Sequence, residues 1–293
     1  MIRRIEDSNP IVTFFFFAYT AGATMFIPFP PLLVISLIGA MMYFYSASGE
    51  RKGSFTLFAW VLFLLLVIAN PIVSHKGETA LFFVNNRPIT LESLYFGINS
   101  AVMIIAALYW FRTLTFVLTS DKLIYLTSLL SKDLSLIISM AVRFVPLFTR
   151  QRKKIKQTQL AMGLYNDDSL THDIRSNIRI FSILITWALE NGITTADSME
   201  ARGFSIGRRT CYRQKRFDKS DLFLIILMTA LFAPVVWCRL SGGMQYSFYP
   251  RTSIEFNGIK DTAALICFAL LSMMPVILKA EVSLRWRYLT YKV

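Results

Sequence analysis

An all-α, polytopic integral membrane protein, with about six transmembrane helices and long cytoplasmic helices, is the fold class that three observations predict. Hydrophobic residues make up 55% of the 293 and aromatics 14%, above the apolar share of an ordinary soluble domain. Those residues come in long blocks rather than in the 3.6 or 2.0 periods of half-buried elements. The Lys and Arg residues gather between alternate blocks, as positive-inside topology requires.

Six apolar stretches, at 11–27, 31–46, 55–70, 94–111, 221–238 and 261–279, are long enough, or nearly so, to cross a hydrocarbon core, which takes ~20 helical residues with ~17 as a lower limit. The second and third are short by this measure and are expected to tilt little or to thin the bilayer. The first follows Arg3 and Arg4 but lacks a small-residue cleavage pattern, so a retained helix is expected rather than a signal peptide. Between the first two, Ile27-Pro28-Phe29-Pro30-Pro31 must turn tightly, because prolines lack the amide hydrogen and disfavour helix in the residue before them. Arg3, Arg4, Arg51, Lys52, Arg112, Lys122, Arg285, Arg287 and Lys292 fall on one side of six crossings if both termini face the cytoplasm. The external loops are then 71–93 and 239–260, which still carry Lys76, Arg87, Arg239, Arg251 and Lys260. The expected divisions are 1–122 for the N-terminal transmembrane helices, 123–217 for a cytoplasmic helical region and 218–293 for a C-terminal transmembrane hairpin.

The net charge of +13 fits this topology better than it fits nucleic acid, since no compact basic domain with interleaved aromatics stands apart from the apolar blocks. Cys211, Cys238 and Cys267 are scattered, and only His75 and His172 could supply imidazole. Neither a disulfide nor a metal site is expected, and no cofactor.

About a hundred residues between the fourth and fifth crossings behave differently. Residues 123–148 are apolar but interrupted by Ser128, Ser131, Lys132, Asp133, Arg143 and Pro146. They suit helices lying at the membrane surface or packed beneath the bundle. A basic helix follows, with Arg150, Arg152, Lys153, Lys154 and Lys156, running through Leu160 toward Ala161-Met162-Gly163. Its cations suit either anionic head groups, where each is worth about 1 kcal/mol, or a protein partner, and the two readings are compatible. After the polar linker Asn166-Asp167-Asp168-Ser169, a second helix of about 30 residues is expected from near Asp173 to Gly203.

Along that second helix Arg175, Arg179, Ser182, Thr186, Glu190 and Asp197 align on one narrow stripe, with mostly apolar residues between them. Such a helix is expected to be largely buried against other helices, its stripe forming either a satisfied interhelical network or a surface for a partner. It ends in Met199-Glu200-Ala201-Arg202-Gly203-Phe204. Gly203 fits a helix stop, and Arg202 in the last turn complements the helix dipole. Capping explains Arg202 by itself, yet an Arg at an exposed helix end also makes a docking point for a partner carboxylate. Beyond it, Arg208, Arg209, Arg213, Lys215 and Arg216 precede re-entry into the membrane near Asp221.

Taken together, Met140-Ala141-Val142-Arg143-Phe144-Val145-Pro146, Thr186-Trp187-Ala188-Leu189-Glu190-Asn191 and Asp197-Ser198-Met199-Glu200-Ala201-Arg202-Gly203-Phe204 resemble the transmembrane T component of energy-coupling factor (ECF) transporters, the EcfT/CbiQ family. The stretches 74–83 and 88–92, and Thr119-Ser120-Asp121-Lys122-Leu123, are similar as well, so the likeness covers about 70–205. It implies a non-enzymatic subunit of a modular ABC-type importer for vitamins or transition-metal ions. The implied partners are two ABC ATPase subunits, a membrane substrate-binding S component and the lipid bilayer of a bacterial or archaeal cell, with no nucleic acid. In that family two long coupling helices each end in a short Ala-Arg-Gly-like motif seated in an ATPase groove. Ala201-Arg202-Gly203 matches the second motif, and Ala161-Met162-Gly163 occupies the place of the first without its arginine. Met162 is then expected to seat by packing, or Lys153, Lys154 or Lys156 to supply the charge, with Arg150 and Arg152 as supporting basic contacts.

The sequence carries no phosphate-binding loop of the Gly-x-x-x-x-Gly-Lys-Ser/Thr kind, so ATP hydrolysis is expected on partners. Two other classes are weighed. An integral membrane enzyme would draw on His75 and Glu78 in the external loop. A stand-alone secondary transporter would show inverted repeats and polar broken helices at mid-membrane, and its spans would carry ionisable residues, of which these are almost free.

Overall fold

The computed structural model describes residues 8–47, 52–73, 79–84, 87–163, 170–204, 206–207, 217–248, 253–255 and 258–291. In chain order the elements are α1 (Pro10–Phe26), α2 (Pro30–Ala47), α3 (Lys52–Val73), β1 (Ala80–Val84), β2 (Arg87–Thr90), α4 (Leu91–Val117), α5 (Ser120–Leu130), α6 (Lys132–Ala161), α7 (Leu170–Ala201), α8 (Lys219–Leu240), β3 (Gln245–Ser247), β4 (Ser253–Glu255) and α9 (Ile259–Tyr291). They fall into two compact units, one of residues 1–122 with 215–293, the other of residues 123–214.

The first unit is an all-α membrane bundle. α2, α3, α4, α8 and α9 are each long and apolar enough to cross a bilayer, and α1 is a shorter apolar helix of 17 residues. At 22 residues α3 is longer than the apolar block that marks it, which corrects the expectation of a short span there, whereas α2, at 18 residues, stays below the ~20 of an average crossing. The helices run on through polar or small residues such as Ser46, Ala47, Asn70 and Pro71, because a backbone near lipid keeps its hydrogen bonds inside the helix whatever its side chains. α1 starts on Asn9, whose side chain accepts the Ile11 amide at 3.1 Å, with Pro10 in the first turn. Pro28 and Phe29 make the tight turn into α2, and Asn99 of α4 pins it by donating to the Pro28 carbonyl at 3.2 Å.

Association of such helices rests on close packing and on hydrogen bonds rather than on expulsion of water. Gly39 of α2 lies against Ser272 of α9, where a Cβ would stand 2.9 Å from the Ser272 Cβ and Oγ. A Cβ at Gly97 of α4 would stand somewhat less closely, 3.1 Å from the Asn70 Cβ and 3.3 Å from the Val67 carbonyl oxygen of α3. At the centre Phe16 and Phe17 pack edge-on to Trp110. The Trp110 indole donates to Ser36 Oγ at 2.9 Å, and Ser36 shares a hydrogen bond with Thr24. This chain of polar groups ties α1, α2 and α4 together. Lys279 of α9 donates to the Ser46 carbonyl at the end of α2. α3 is the least covered span, presenting Leu57, Trp60, Val61, Leu64 and Ile68 outward.

Two small antiparallel hairpins, β1 with β2 and β3 with β4, cap the connections α3–α4 and α8–α9. The sequence reading held no strands there. Phe248 beside β3 packs edge-on to Phe96 of α4 at 5.2 Å, so the β3 connection rests on the start of that helix.

Candidate functional site

α6 and α7, which form most of the second unit, carry the residues singled out in the sequence. α6 is one 30-residue helix through Pro146, so the apolar stretch before Arg150 and the basic run after it share one rod. Phe148 of α6 packs edge-on against Trp187 of α7 at 5.9 Å, stacked in turn with Phe144. Toward the connection between the two helices, Ile155 and Gln159 on α6 and Ser176 and Ile180 on α7 are buried. The pair is thus a helical hairpin joined along one face.

Both helices end on a glycine in the left-handed conformation. At the end of α7 the Gly203 amide donates to the Glu200 carbonyl and the Phe204 amide to the Met199 carbonyl, 2.9 and 3.0 Å. Gly203 has φ +78°. These are the two bonds and the left-handed glycine of a Schellman cap, with Arg202 at the cap position directly after Ala201. At the end of α6 the Gly163 amide donates to the Leu160 carbonyl at 3.0 Å, and Gly163 has φ +70°. Met162 therefore stands at the cap position that Arg202 holds on α7, and the two triplets Ala161-Met162-Gly163 and Ala201-Arg202-Gly203 are local stereochemical equivalents. Met162 is 69% exposed, and Arg202 is exposed as well.

Counting from the Phe148–Trp187 contact, Met162 lies 14 residues along α6 and Arg202 15 residues along α7. At 1.5 Å per residue the two ends stand on the order of 40 Å apart, at opposite ends of the hairpin. Arg150, Arg152, Lys153, Lys154 and Lys156 are all exposed around α6 between its aromatic contact and Met162.

Two expectations for α7 are corrected. The helix is not largely buried within this chain: it touches α6 along one face, while Ile174, Ile178, Phe181, Ile185 and Leu189 form a second, exposed apolar face. Nor is the polar stripe an interhelical network. Arg175, Ser182, Thr186, Glu190 and Asp197 are exposed and Arg179 half-buried, and Thr186 donates to the Ser182 carbonyl of its own helix. α6 covers one apolar face of α7, and the other is left exposed within this chain.

Sequence reasoning missed Gln159. It is 4% exposed, and neither its side-chain oxygen nor its nitrogen has a hydrogen-bond partner among the described residues. No local pattern marks it, since a Gln two residues before a helix end is ordinary. Leaving a buried amide unmade costs about 1–3 kcal/mol, so Gln159→Leu is expected to stabilise the hairpin by about 1 kcal/mol, read as a raised thermal midpoint; a lowered one contradicts the burial.

The linker 166–169, His75, Glu78, Cys211 and the basic tail 208–216 lie outside the described residues. Among the described residues no group of three His, Cys, Asp or Glu side chains could hold a metal. Cys238 and Cys267 are free thiols, and Cys238 donates to Asp261 in the first turn of α9 at 2.8 Å.

The family described as CbiQ, cobalt transport protein, matches residues 3–212. The chain is 32% identical over 113 residues to the energy-coupling factor transporter transmembrane protein EcfT of Bacillus selenitireducens, covering 38% of this chain and 42% of that protein. The energy-coupling factor transporter transmembrane protein EcfT 1 of Listeria monocytogenes aligns at 32% identity over 37% of this chain and 42% of its own length. The chain thus spans well under half the length of these two relatives. The EcfT of Bacillus subtilis aligns over 82% of this chain and 94% of its own length at 22% identity. With a membrane bundle, a hairpin of two long helices and a match across residues 3–212, the chain belongs to the EcfT/CbiQ family of energy-coupling factor transporter transmembrane proteins.

Proposed function

We propose that this chain is the coupling subunit of an ECF-type ABC importer, passing ATP-driven motion from two ATPase subunits to a membrane S component that binds a vitamin or a transition-metal ion. The observation that carries the reading is the pair of exposed ends on α6 and α7, each closed by a left-handed glycine and on the order of 40 Å apart. A single small partner would use one such end; two similar ends pointing away from a shared hairpin suit two similar partners. The exposed apolar face of α7 and the largely exposed polar stripe beside it leave further surface for the assembly. Both termini and the α6/α7 hairpin lie in the cytoplasm in this reading, where the Lys and Arg of the short connections gather.

At the α7 end Arg202 offers a bidentate guanidinium to an ATPase carboxylate. At the α6 end Met162 seats by packing. Lys156 is six residues back, roughly 9 Å along the helix, too far to place its charge in the same pocket. ATP-driven closure then changes the separation of the two seats, and the stiff hairpin carries that change to the membrane partner. Only contacts that differ between the two states do such work.

The test is site-specific photo-crosslinking at positions 162 and 202 in the assembled complex. Adducts with an ATP-binding subunit from both positions are expected. Adducts from neither position, or with lipid alone, contradict the reading.

A further inference from the structure

We infer that Arg112, near the end of α4, holds the phosphate of one anionic phospholipid, which ties the neighbouring ends of α2, α3 and α4 together at the edge of the hydrocarbon core. The site lies wholly within the membrane bundle and stands apart from the coupling role proposed above.

The level of the site follows from α4 itself. Between Glu92 and Arg112 the helix carries no Asp, Glu, Lys or Arg. That stretch rises roughly 30 Å, the thickness of a hydrocarbon core, so Arg112 stands where acyl chains give way to head groups. The last turn of α2, with Phe44 and Tyr45, and the start of α3, with Phe55 and Thr56, meet α4 there. Lys279 of α9 comes to the same end of α2, donating to the Ser46 carbonyl.

Arg112 is exposed, and its guanidinium lies over two rings from different helices, Phe55 at 5.6 Å and Phe116 at 4.9 Å. The rings are themselves held, since Phe55 packs edge-on to Tyr109 and its neighbour Thr56 shares a hydrogen bond with Tyr45 at 3.0 Å. Among the described residues no carboxylate, carbonyl or hydroxyl engages the Arg112 side chain. An arginine that only reached for water would trail free; this one is positioned, with five N–H donors left to a ligand. The surroundings decide the occupant. On the adjoining turns Leu57, Phe58, Phe111 and Phe116 are large, apolar and exposed, which suits acyl chains rather than a soluble partner. Tyr45, also exposed, sets an amphipathic ring at the same level, where a membrane interface favours one. A cation among exposed apolar side chains fits a ligand with an anionic head and apolar tails. The guanidinium fork matches the two non-bridging oxygens of a phosphodiester. A zwitterionic lipid brings its own cation to that phosphate, whereas an anionic lipid leaves the charge to Arg112.

The experiment is native mass spectrometry of the full chain released from nanodiscs holding equal phosphatidylglycerol and phosphatidylcholine. Alongside it, the thermal midpoint of the detergent-purified chain is followed on adding either lipid or inorganic phosphate. Wild type is expected to retain phosphatidylglycerol preferentially, and its midpoint to rise with that lipid alone. Arg112→Gln should weaken the preference about fivefold or more, the loss of one cation at a lipid phosphate. Arg112→Lys should fall between, because an ammonium keeps the charge without the fork. Phe116→Leu keeps every charge but frees the guanidinium, and should weaken the preference about two- to fivefold, the worth of an exposed cation–π contact. Equal retention of both lipids by wild type overturns the inference. So does a wild-type preference in Arg112→Gln, which places the lipid elsewhere, or in Phe116→Leu, which removes the fixed fork. A midpoint raised as much by inorganic phosphate shows a site for free anions and overturns it too.

Discussion

Arg202→Glu is expected to abolish ATP-driven uptake while leaving membrane insertion and the α6/α7 hairpin intact. Within this chain Arg202 is an exposed cap residue at the far end of α7 from the hairpin connection. Reversing its charge there costs only a helix-dipole contribution of about 0.3–1 kcal/mol. In the coupling role proposed above the same guanidinium would be desolvated against an ATPase carboxylate, and truncating one partner of such a pair costs about 2–5 kcal/mol. Glu adds like-charge repulsion to that loss. Uptake measured in cells, or in vesicles with the complete complex, should fall by about thirtyfold to several thousandfold, the range those energies span. Arg202→Lys should fall between, because it keeps the charge and loses the bidentate fork. Normal uptake by Arg202→Glu removes the coupling role from this end of α7.

Gly39→Leu is expected to disrupt the membrane bundle itself. A Cβ at Gly39 would lie 2.9 Å from the Cβ and Oγ of Ser272 and 3.3 Å from its carbonyl oxygen. The first two contacts are with a fully buried side chain that donates to its own helix at Ala269, and the third is with backbone. Nothing there can swing aside, so α2 and α9 must separate. Overpacking typically costs about 1–3 kcal/mol and occasionally more; a whole isobutyl group wedged between two helix backbones belongs at the upper end. The thermal midpoint of the detergent-purified chain should drop by several degrees, or the monodisperse peak be lost. Gly39→Ala with Ser272→Gly should recover much of it, because only the backbone contact then remains. An unchanged midpoint for Gly39→Leu contradicts the close approach of these two helices.

The bundle was legible because lipid imposes a coarse rule. A crossing helix needs about 20 apolar residues and must satisfy its own backbone, so the blocks at 94–111 and 221–238 mark α4 and α8 directly. Helix ends were less so, as α4 continues through Arg112 to Val117; the Arg112 guanidinium lies over the Phe116 ring at 4.9 Å, giving the charge a place at the end of the span. The hairpins at 80–90 and 245–255 escaped notice because pairs of three to five residues give too short an alternation to separate from loop.

In the second unit, Gly163 and Gly203 were readable as stops, since a left-handed residue after a helix favours glycine. The equivalence of Met162 with Arg202 needed the backbone. The burial of α7 was misjudged for a physical reason: an apolar pattern marks a face suited to burial without saying whether the same chain supplies the cover. Gln159 was invisible because an unmade hydrogen bond is a property of its surroundings.

Co-purification tests the central claim most directly. The tagged wild-type chain, extracted from its native membrane in mild detergent, is predicted to bring down ATP-binding subunits together with a small membrane protein, with ATPase activity in the eluate. A wild-type chain that elutes alone, stable and monodisperse, would contradict the account.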